Sequence, residues 1–183
     1  MLTFVEIDKE NIELAVSIQN QIFPNENGRD ELEATVNGGQ TNRMRFLKYW
    51  IAYLNGEPAG ICGITEYFDY PDDCFLGWYG VLDKFRRQGL GRKMFNFCKA
   101  EAENLGYKTL RLYTDEIDNK VAVITYKKYG MFEEVYNNKN DKTIVVGRTL
   151  IFSLPLNGNE LIKWNDRMIY LAEEDEAEAK YRK

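Results

Sequence analysis

The feature that most constrains the fold of this sequence is a pair of glycines, Gly89 and Gly91, set between two stretches of different periodicity. Residues 75–82 before them are mostly apolar and predict a strand. Residues 91–105 repeat apolar side chains at helical spacing, and Gly106 predicts the end of that helix. A strand and a helix therefore meet at a short loop, where glycines allow backbone turns that side chains would prevent.

This loop also has the composition of an anion site, because Arg86, Arg87 and Gln88 directly precede the two glycines. The start of a helix presents unpaired N–H groups and a positive dipole end, and arginines add fork-shaped donors. The loop is therefore predicted to bind a diphosphate. A dinucleotide fingerprint is excluded because Met94 stands where its third glycine should, and a Walker A loop because no Gly-Lys-Ser/Thr follows.

The amino-acid composition excludes several kinds of catalytic site and of binding partner. Histidine is absent from all 183 residues, which excludes Ser-His and Cys-His catalytic pairs and the H-E-x-x-H metal site. The net charge of −5 disfavours nucleic acid as a partner and favours a cationic substrate. Three cysteines without a C-x-x-C pair indicate a reduced, cytoplasmic protein. Because there is neither a signal peptide nor an apolar run long enough to cross a bilayer, we expect no membrane segment.

The whole chain is predicted to run in the order β-α-α-β-β-β-α-β-α-β-β. An Asn55-Gly56 turn joins the second and third strands as a hairpin. The other predicted strands are residues 2–7, 50–54, 59–67, 110–114, 133–136 and 143–153. The other predicted helices are residues 9–22 after the cap Asp8, 29–36 and 121–129.

A second pattern follows the fifth predicted strand and consists of Asn119, Ala122, Tyr126 and Gly130. Together with the loop at 86–91, it resembles the GNAT-type N-acetyltransferases, whose motifs read Q/R-x-x-G-x-G/A and N-x-x-A-x-x-x-Y-x-x-x-G-F. There are two departures: Asp83 stands where the family commonly has the proline of V-x-P, and Met131 replaces the usual aromatic. The resemblance covers residues 3–153.

The resemblance implies an α/β (α+β) fold, with a mixed, largely antiparallel central sheet of about seven strands flanked by helices. It implies direct transfer of the acetyl group of acetyl-CoA, without a metal, to a primary amine of a small molecule or peptide. The strand backbone at Val81 and Leu82 would bind the pantetheine arm, and Tyr126 would protonate the departing CoA thiolate. The implied cofactor-binding residues are Val81, Leu82, Asp83, Arg86, Arg87, Gln88, Gly89, Leu90, Gly91, Arg92, Asn119 and Tyr126.

Several of these residues also have a purely structural interpretation. Asn119 could cap the following helix, and Tyr126 could be a core tyrosine. The general base that deprotonates the amine is open as well. Glu66, at the end of a strand, is our first hypothesis and Asp72 or Asp73 the second, while water could carry the proton if all three are surface charges.

Four aromatic side chains near the same strands could line an acceptor pocket or belong to the core. They are Tyr67, Tyr70, Trp78 and Tyr79. The acidic balance of the chain favours a cationic amine as acceptor, without identifying it.

The end of the chain changes character at Asn157-Gly158-Asn159. We expect an acetyltransferase domain at 1–156 and a C-terminal helical extension at 157–183. The acidic helix is interpreted as a solvated terminus, with a lid or a homodimer contact as alternatives. Two other functions are considered: a non-catalytic acyl-CoA-binding or regulatory module on the same fold, and an interaction protein whose acidic helix recruits a basic partner.

Overall fold

A computed structural model describes residues 1–140 and 148–169 of the chain. Within these residues, seven strands and four α-helices follow one another in the predicted order. Their bounds are β1 Leu2–Glu6, α1 Ile12–Ile22, α2 Arg29–Val36, β2 Met44–Leu54, β3 Glu57–Tyr67, β4 Asp73–Val81, α3 Leu90–Asn104, β5 Thr109–Asp115, α4 Lys120–Lys128, β6 Phe132–Val135 and β7 Thr149–Pro155.

The described strands form one sheet in the order β1-β2-β3-β4-β5-β7-β6. Neighbouring strands are antiparallel except β4 and β5, which are parallel. The β2–β3 hairpin turns at Asn55 and Gly56, with φ angles of 53° and 85° that suit a tight two-residue turn. The mixed, largely antiparallel sheet flanked by helices is thus confirmed.

The parallel contact between β4 and β5 is short, because only Asp73–Phe75 of β4 pairs with β5. Farther along, Ile61 pairs with Gly80 and Gly63 with Gly77, so two residues of β4 lie opposite one residue of β3. This bulge includes Trp78, whose φ is 33°. A bulge bends its strand and increases the local twist, so β4 leaves β5 and a gap opens in the sheet.

Two apolar cores fill the two faces of the sheet. On the face that we call the α3 face, α3 and α4 contribute Met94, Phe95 and Tyr126. On the opposite face, the α1 face, α1 and α2 pack with Ile18 and Leu32 against the strands. The gap between β4 and β5 therefore joins two separately packed layers.

The segment after β7 differs from the predicted helix. Residues 157–169 form turns and irregular backbone, and residues 170–183 lie outside the described part of the chain. Trp164 and Ile169 are both 1% exposed and complete the core of the α1 face. The indole Nε1 of Trp164 donates to the carbonyl of Arg167 at 2.6 Å, which fits a local turn. Residues 143–147 of the last predicted strand also lie outside the described residues.

Candidate active site

A cavity of about 450 Å³ occupies the gap between β4 and β5. Its walls come from both layers and include eight aromatic side chains: Phe23, Tyr49, Tyr67, Phe75, Trp78, Tyr79, Tyr113 and Tyr126. The carboxylates of Glu26, Glu31 and Asp115 also line it, whereas no Lys or Arg of the described residues does. Asp115 is paired with Arg148 at 2.8 Å, so the two glutamates carry the local negative charge.

The predicted anion loop lies directly after β4, at the start of α3. Gly89 is the N-cap of this helix with φ 74°, and Arg87 before it has φ 63°. Both angles are in the left-handed region, which glycine adopts most easily. Leu90 is 3% exposed and anchors the first turn in the core of the α3 face. The first N–H groups of a 15-residue helix thus stand at a tightly turned loop.

Gly91 lets this helix start close to β4. The hydroxyl of Tyr79 donates to the Gly91 carbonyl at 2.6 Å. A Cβ at position 91 would lie 3.1 Å from the Tyr79 hydroxyl and 3.4 Å from that of Tyr129. The absence of a side chain at Gly91 therefore serves the packing of α3 against the strand.

The basic residues of the loop have different surroundings. Arg86 donates to the Val81 carbonyl at 3.1 Å and pairs with Asp83 at 2.8 Å, so it braces the loop from within. Arg92 donates to the Lys128 carbonyl at 3.1 Å. Arg87 makes no hydrogen bond or ion pair with any described residue, so its guanidinium is free for a ligand.

The remaining loop positions are held by the backbone and by one short-range contact. Leu82 donates its N–H to the Ala59 carbonyl at 2.9 Å and accepts from Phe85 at 2.9 Å. Gln88 donates to the Lys84 carbonyl at 3.4 Å. The Leu82 backbone thus continues the pairing with β3, and the edge of β4 toward β5 is the one without a strand partner beyond Phe75.

Helix α4 brings the second motif to the cavity. Asn119 is the N-cap of α4, but its side chain makes no capping hydrogen bond and instead lines the cavity. Tyr126 is 8% exposed, and its ring lies 5.5 Å from that of Phe152. Burial raises the pKa of Tyr126 above its ordinary value, because the apolar surroundings disfavour the phenolate. Tyr126 therefore combines a place in the core with a place at the cavity wall.

The structure does not bring the predicted bases to the cavity. Glu66 lies on the α3 face, where Arg45 pairs with it and the Tyr107 hydroxyl donates to it at 2.8 Å. Side chains alternate along a strand, so its neighbours Thr65 and Tyr67 line the cavity and Glu66 does not. The role of Glu66 as general base thus has no geometric support.

The aspartates of the second hypothesis are also elsewhere. Asp72 pairs with Lys108 at 3.0 Å, and Asp73 is buried against Arg111 at 2.8 Å. Among the four aromatics, Tyr70 donates to the Met168 carbonyl at 2.5 Å and faces the C-terminal segment. The other three, Tyr67, Trp78 and Tyr79, line the cavity.

The acidic side of the cavity was missed in the sequence. Glu31 on α2 accepts a hydrogen bond from Tyr49 on β2 at 2.6 Å, and burial raises the pKa of Glu31. A usable signal was the presence of Gly63 and Gly77 inside two strands. Strand glycines often mark a close approach of another group.

The sequence of this chain matches that of a known protein family. A sequence model described as the acetyltransferase (GNAT) family matches residues 13–131. Among curated protein sequences, none gives a significant match.

Several solved structures share the fold. The ribosomal-protein-S18-alanine N-acetyltransferase of Escherichia coli has a TM-score of 0.65 at 21% identity, covering 92% of this chain and 100% of that one. Arabidopsis thaliana NAA60, solved in complex with acetyl-CoA, gives 0.66 at 17% identity over 86% and 100%. A GNAT-family protein of Desulfovibrio desulfuricans gives 0.71 at 16% identity over 85% and 99%.

The described residues also bear on metal binding and on membrane insertion. No group of His, Cys, Asp and Glu there could hold a metal ion. None of the described helices has the length and apolar character needed to cross a membrane.

Proposed function

Because this chain belongs to the acetyltransferase (GNAT) family, we propose that it transfers the acetyl group of acetyl-CoA directly to a primary amine. The observation that carries the proposal is the gap between β4 and β5, which has Tyr126 and Tyr79 in its wall. The Tyr79 hydroxyl donates to the carbonyl of Gly91 and so connects this wall to the first turn of α3. Acetyl-CoA fits these features: its diphosphate would lie at the start of α3, its extended arm in the gap, and its thioester near Tyr126.

The donor would be held mainly by backbone. The N–H groups at the start of α3 and the guanidinium of Arg87 would bind the diphosphate. The unpaired edge of β4, from Leu76 to Val81, would bind the amide groups of the pantetheine arm as a strand would. Asn119 would add a side-chain hydrogen bond from α4. Asp83, Arg86, Gln88 and Arg92 would shape the loop rather than contact the donor.

For the transfer, the thioester of acetyl-CoA and the acceptor amine would meet in the gap, each coming from one side of the sheet. The amine nitrogen attacks the thioester carbonyl, and N–H groups of β4 stabilise the oxyanion that forms. When the carbon–sulfur bond breaks, Tyr126 supplies a proton to the thiolate. Burial raises the pKa of Tyr126, and the same apolar surroundings would raise the pKa of the CoA thiol, so the two groups stay matched for the proton transfer.

The related structures support the two substrates of the proposal. NAA60 was solved with acetyl-CoA, and the Escherichia coli protein is named for acetylating an alanine of ribosomal protein S18. The buried free thiols of Cys62, Cys74 and Cys98 fit the reducing cytoplasm, which we include in the proposal. The homodimer and the acidic C-terminal helix stay predictions.

Free thiol release tests the proposal. The purified protein is incubated with acetyl-CoA and a panel of amines, and binding of acetyl-CoA is measured separately by calorimetry. We expect binding, together with thiol release that depends on an amine. Binding without release for any amine would favour the non-catalytic acyl-CoA module, and the absence of both would overturn the assignment.

A further inference from the structure

The side of the cavity formed by α1, α2 and β2 contains a carboxylate held in an aromatic setting. Glu31 is half-buried in this wall, and Tyr49, which is 0% exposed, donates to it at 2.6 Å. Phe23 and Trp78 line the same cavity, with their ring centroids 5.3 Å apart in an edge-to-face arrangement. The wall thus presents one fixed negative group among flat apolar surfaces.

The position of Tyr49 depends on two glycines of the neighbouring strands. A Cβ at Gly63 would overlap the Tyr49 ring, and a Cβ at Gly77 would overlap its hydroxyl. The ring therefore lies across β3 and reaches β4, where its hydroxyl meets Glu31 from α2. Gly28 has a similar relation to Trp78, because a Cβ there would come within 2.8 Å of the indole. Small residues at three positions make room for this one wall.

The charges around Glu31 favour a cation in the cavity. Asp30 adds negative charge from α2, and Arg43 is the one positive group whose field lowers the pKa of Glu31 among the described residues. Burial outweighs it and raises that pKa. Arg43 donates to the Ile169 carbonyl at 2.8 Å and lies over the Tyr67 ring, outside the cavity lining. Glu26 adds a second carboxylate at the rim.

We propose that this wall is the acceptor site, that it selects a small cationic primary amine with a flat apolar body, and that Glu31 is the general base. The inference rests on the proposed acetyl transfer and adds the acceptor class and the base. Aromatic faces attract both a cation and an apolar ring, whereas an acceptor carboxylate would meet Glu31 and Glu26. Glu31 and Tyr126 line the same cavity from the two opposite layers.

The proton balance gives each group one task. Glu31 takes a proton from the bound ammonium, and the neutral amine attacks the carbonyl carbon. The carbon–sulfur bond breaks as the amide forms, and the thiolate takes the proton of Tyr126. The second proton of the nitrogen restores the Tyr126 phenol, while Glu31 returns its proton to solvent. In sum, the acceptor's ammonium form and acetyl-CoA give the N-acetylated amine, the CoA thiol and one proton.

A matched pair of amines tests the selectivity. Phenylethylamine and phenylalanine share a benzyl body and a primary amine, but only phenylalanine has a carboxylate. We expect kcat/KM for phenylethylamine to exceed that for phenylalanine by at least about tenfold. Equal values, or a preference for spermidine or a peptide N-terminus, would overturn the acceptor class while leaving acetyl transfer in place.

Variants of the wall test the base. Glu31→Gln should lower kcat/KM for phenylethylamine by about a hundredfold or more. Tyr49→Phe keeps the ring over the glycines and should raise KM by about tenfold, because a hydrogen bond to a charged group is lost. Glu33→Gln is the control, since Glu33 lies on the same helix but pairs with Arg29 and does not line the cavity.

Binding of acetyl-CoA separates the two proposals. It should be unchanged in Glu31→Gln and Tyr49→Phe, which also shows that both variants are folded. If Glu31→Gln keeps the turnover of the unchanged protein, Glu31 is not the base, although the acetyltransferase assignment stands. If the unchanged protein binds no acetyl-CoA, the proposed function fails first.

Discussion

Trp78 is held at φ 33°, a backbone conformation that a non-glycine residue adopts at an energetic cost of about 1–3 kcal/mol. Its indole packs against Phe23, and Gly28 leaves space for it. The strain accompanies the bulge that parts β4 from β5, so it lies where the cavity opens. Residues kept in such conformations cluster at sites where geometry serves binding or catalysis.

The role of Tyr126 can be isolated by removing one oxygen. Tyr126→Phe should lower kcat by about 10²- to 10⁴-fold, because the thiolate must then leave without a positioned acid. The ring remains in the core, so the affinity for acetyl-CoA should not change. Steady-state thiol release and calorimetry measure the two quantities. Unchanged turnover would return Tyr126 to a structural role and favour the non-catalytic module.

The close fit of Tyr49 over Gly63 predicts a stability effect. Gly63→Ala should lower the free energy of unfolding by about 1–3 kcal/mol, because its methyl group overlaps a fully buried ring. Chemical denaturation measures the change. In a Tyr49→Ala background the same substitution should have a smaller effect, since the overlapping ring is gone. An equal effect in both backgrounds would mean that the ring is not the cause.

The bounds of elements with regular periodicity could be predicted from the sequence to within a few residues. The predicted bounds deviate where charged side chains form ion pairs with neighbouring strands. Strand β2 begins at Met44, six residues before the prediction, because Lys48 pairs with Glu6 and Arg45 with Glu66. In the sequence, these charged residues make the stretch look like a loop, because their partners on the neighbouring strands cannot be seen there. In the same way, the Asp8 side chain accepts from the Asn11 N–H in a turn before α1, rather than capping the helix.

The start of α3 gives a prediction at the scale of the helix. Gly89 and Gly106 flank α3 with φ angles of 74° and 85°, and a Cβ at either would meet nothing within 4 Å. Alanine at either position should therefore destabilise the protein by a similar amount, about 1–2 kcal/mol. Only Gly89→Ala should weaken acetyl-CoA binding, because Gly89 belongs to the proposed diphosphate loop and Gly106 lies at the other end of the helix. Calorimetry on both variants measures this, and equal affinities would contradict the role of the loop.

Across the whole molecule, local motifs in the sequence pointed to the proposed donor side of the site, whereas none pointed to the proposed acceptor side. The glycine loop, Asn119 and Tyr126 belong to one contiguous stretch with local motifs. Glu66 lies near the end of a strand, as expected, but on the face of the sheet away from the cavity. The alternation of side chains along a strand shows which residues share a face, and it does not show which face borders a cavity. Glu31 comes from a helix far away in sequence, and it could be related to β4 only through the packing of Tyr49.

The segment after β7 packs into the core of the α1 face and bears on the division at residue 156. A variant ending at Leu156 loses Trp164 and Ile169 from the core, and Asp73 loses Arg167, which pairs with it at 2.7 Å. Its free energy of unfolding should fall by about 3–5 kcal/mol relative to a variant ending at Ile169. Thermal and chemical denaturation compare the two. Equal stability would support residues 1–156 as an independent domain.

The short parallel contact of β4 and β5 has a thermodynamic consequence. Only three residue pairs join them, so the gap beyond is a missing piece of sheet that a bound donor would fill. A ligand that binds only the folded state stabilises it by mass action, by about 2.7 kcal/mol at a hundred times its Kd. The melting temperature of this protein should therefore track the concentration of acetyl-CoA around it, and cosubstrate supply would set how long each copy survives as well as how fast it works.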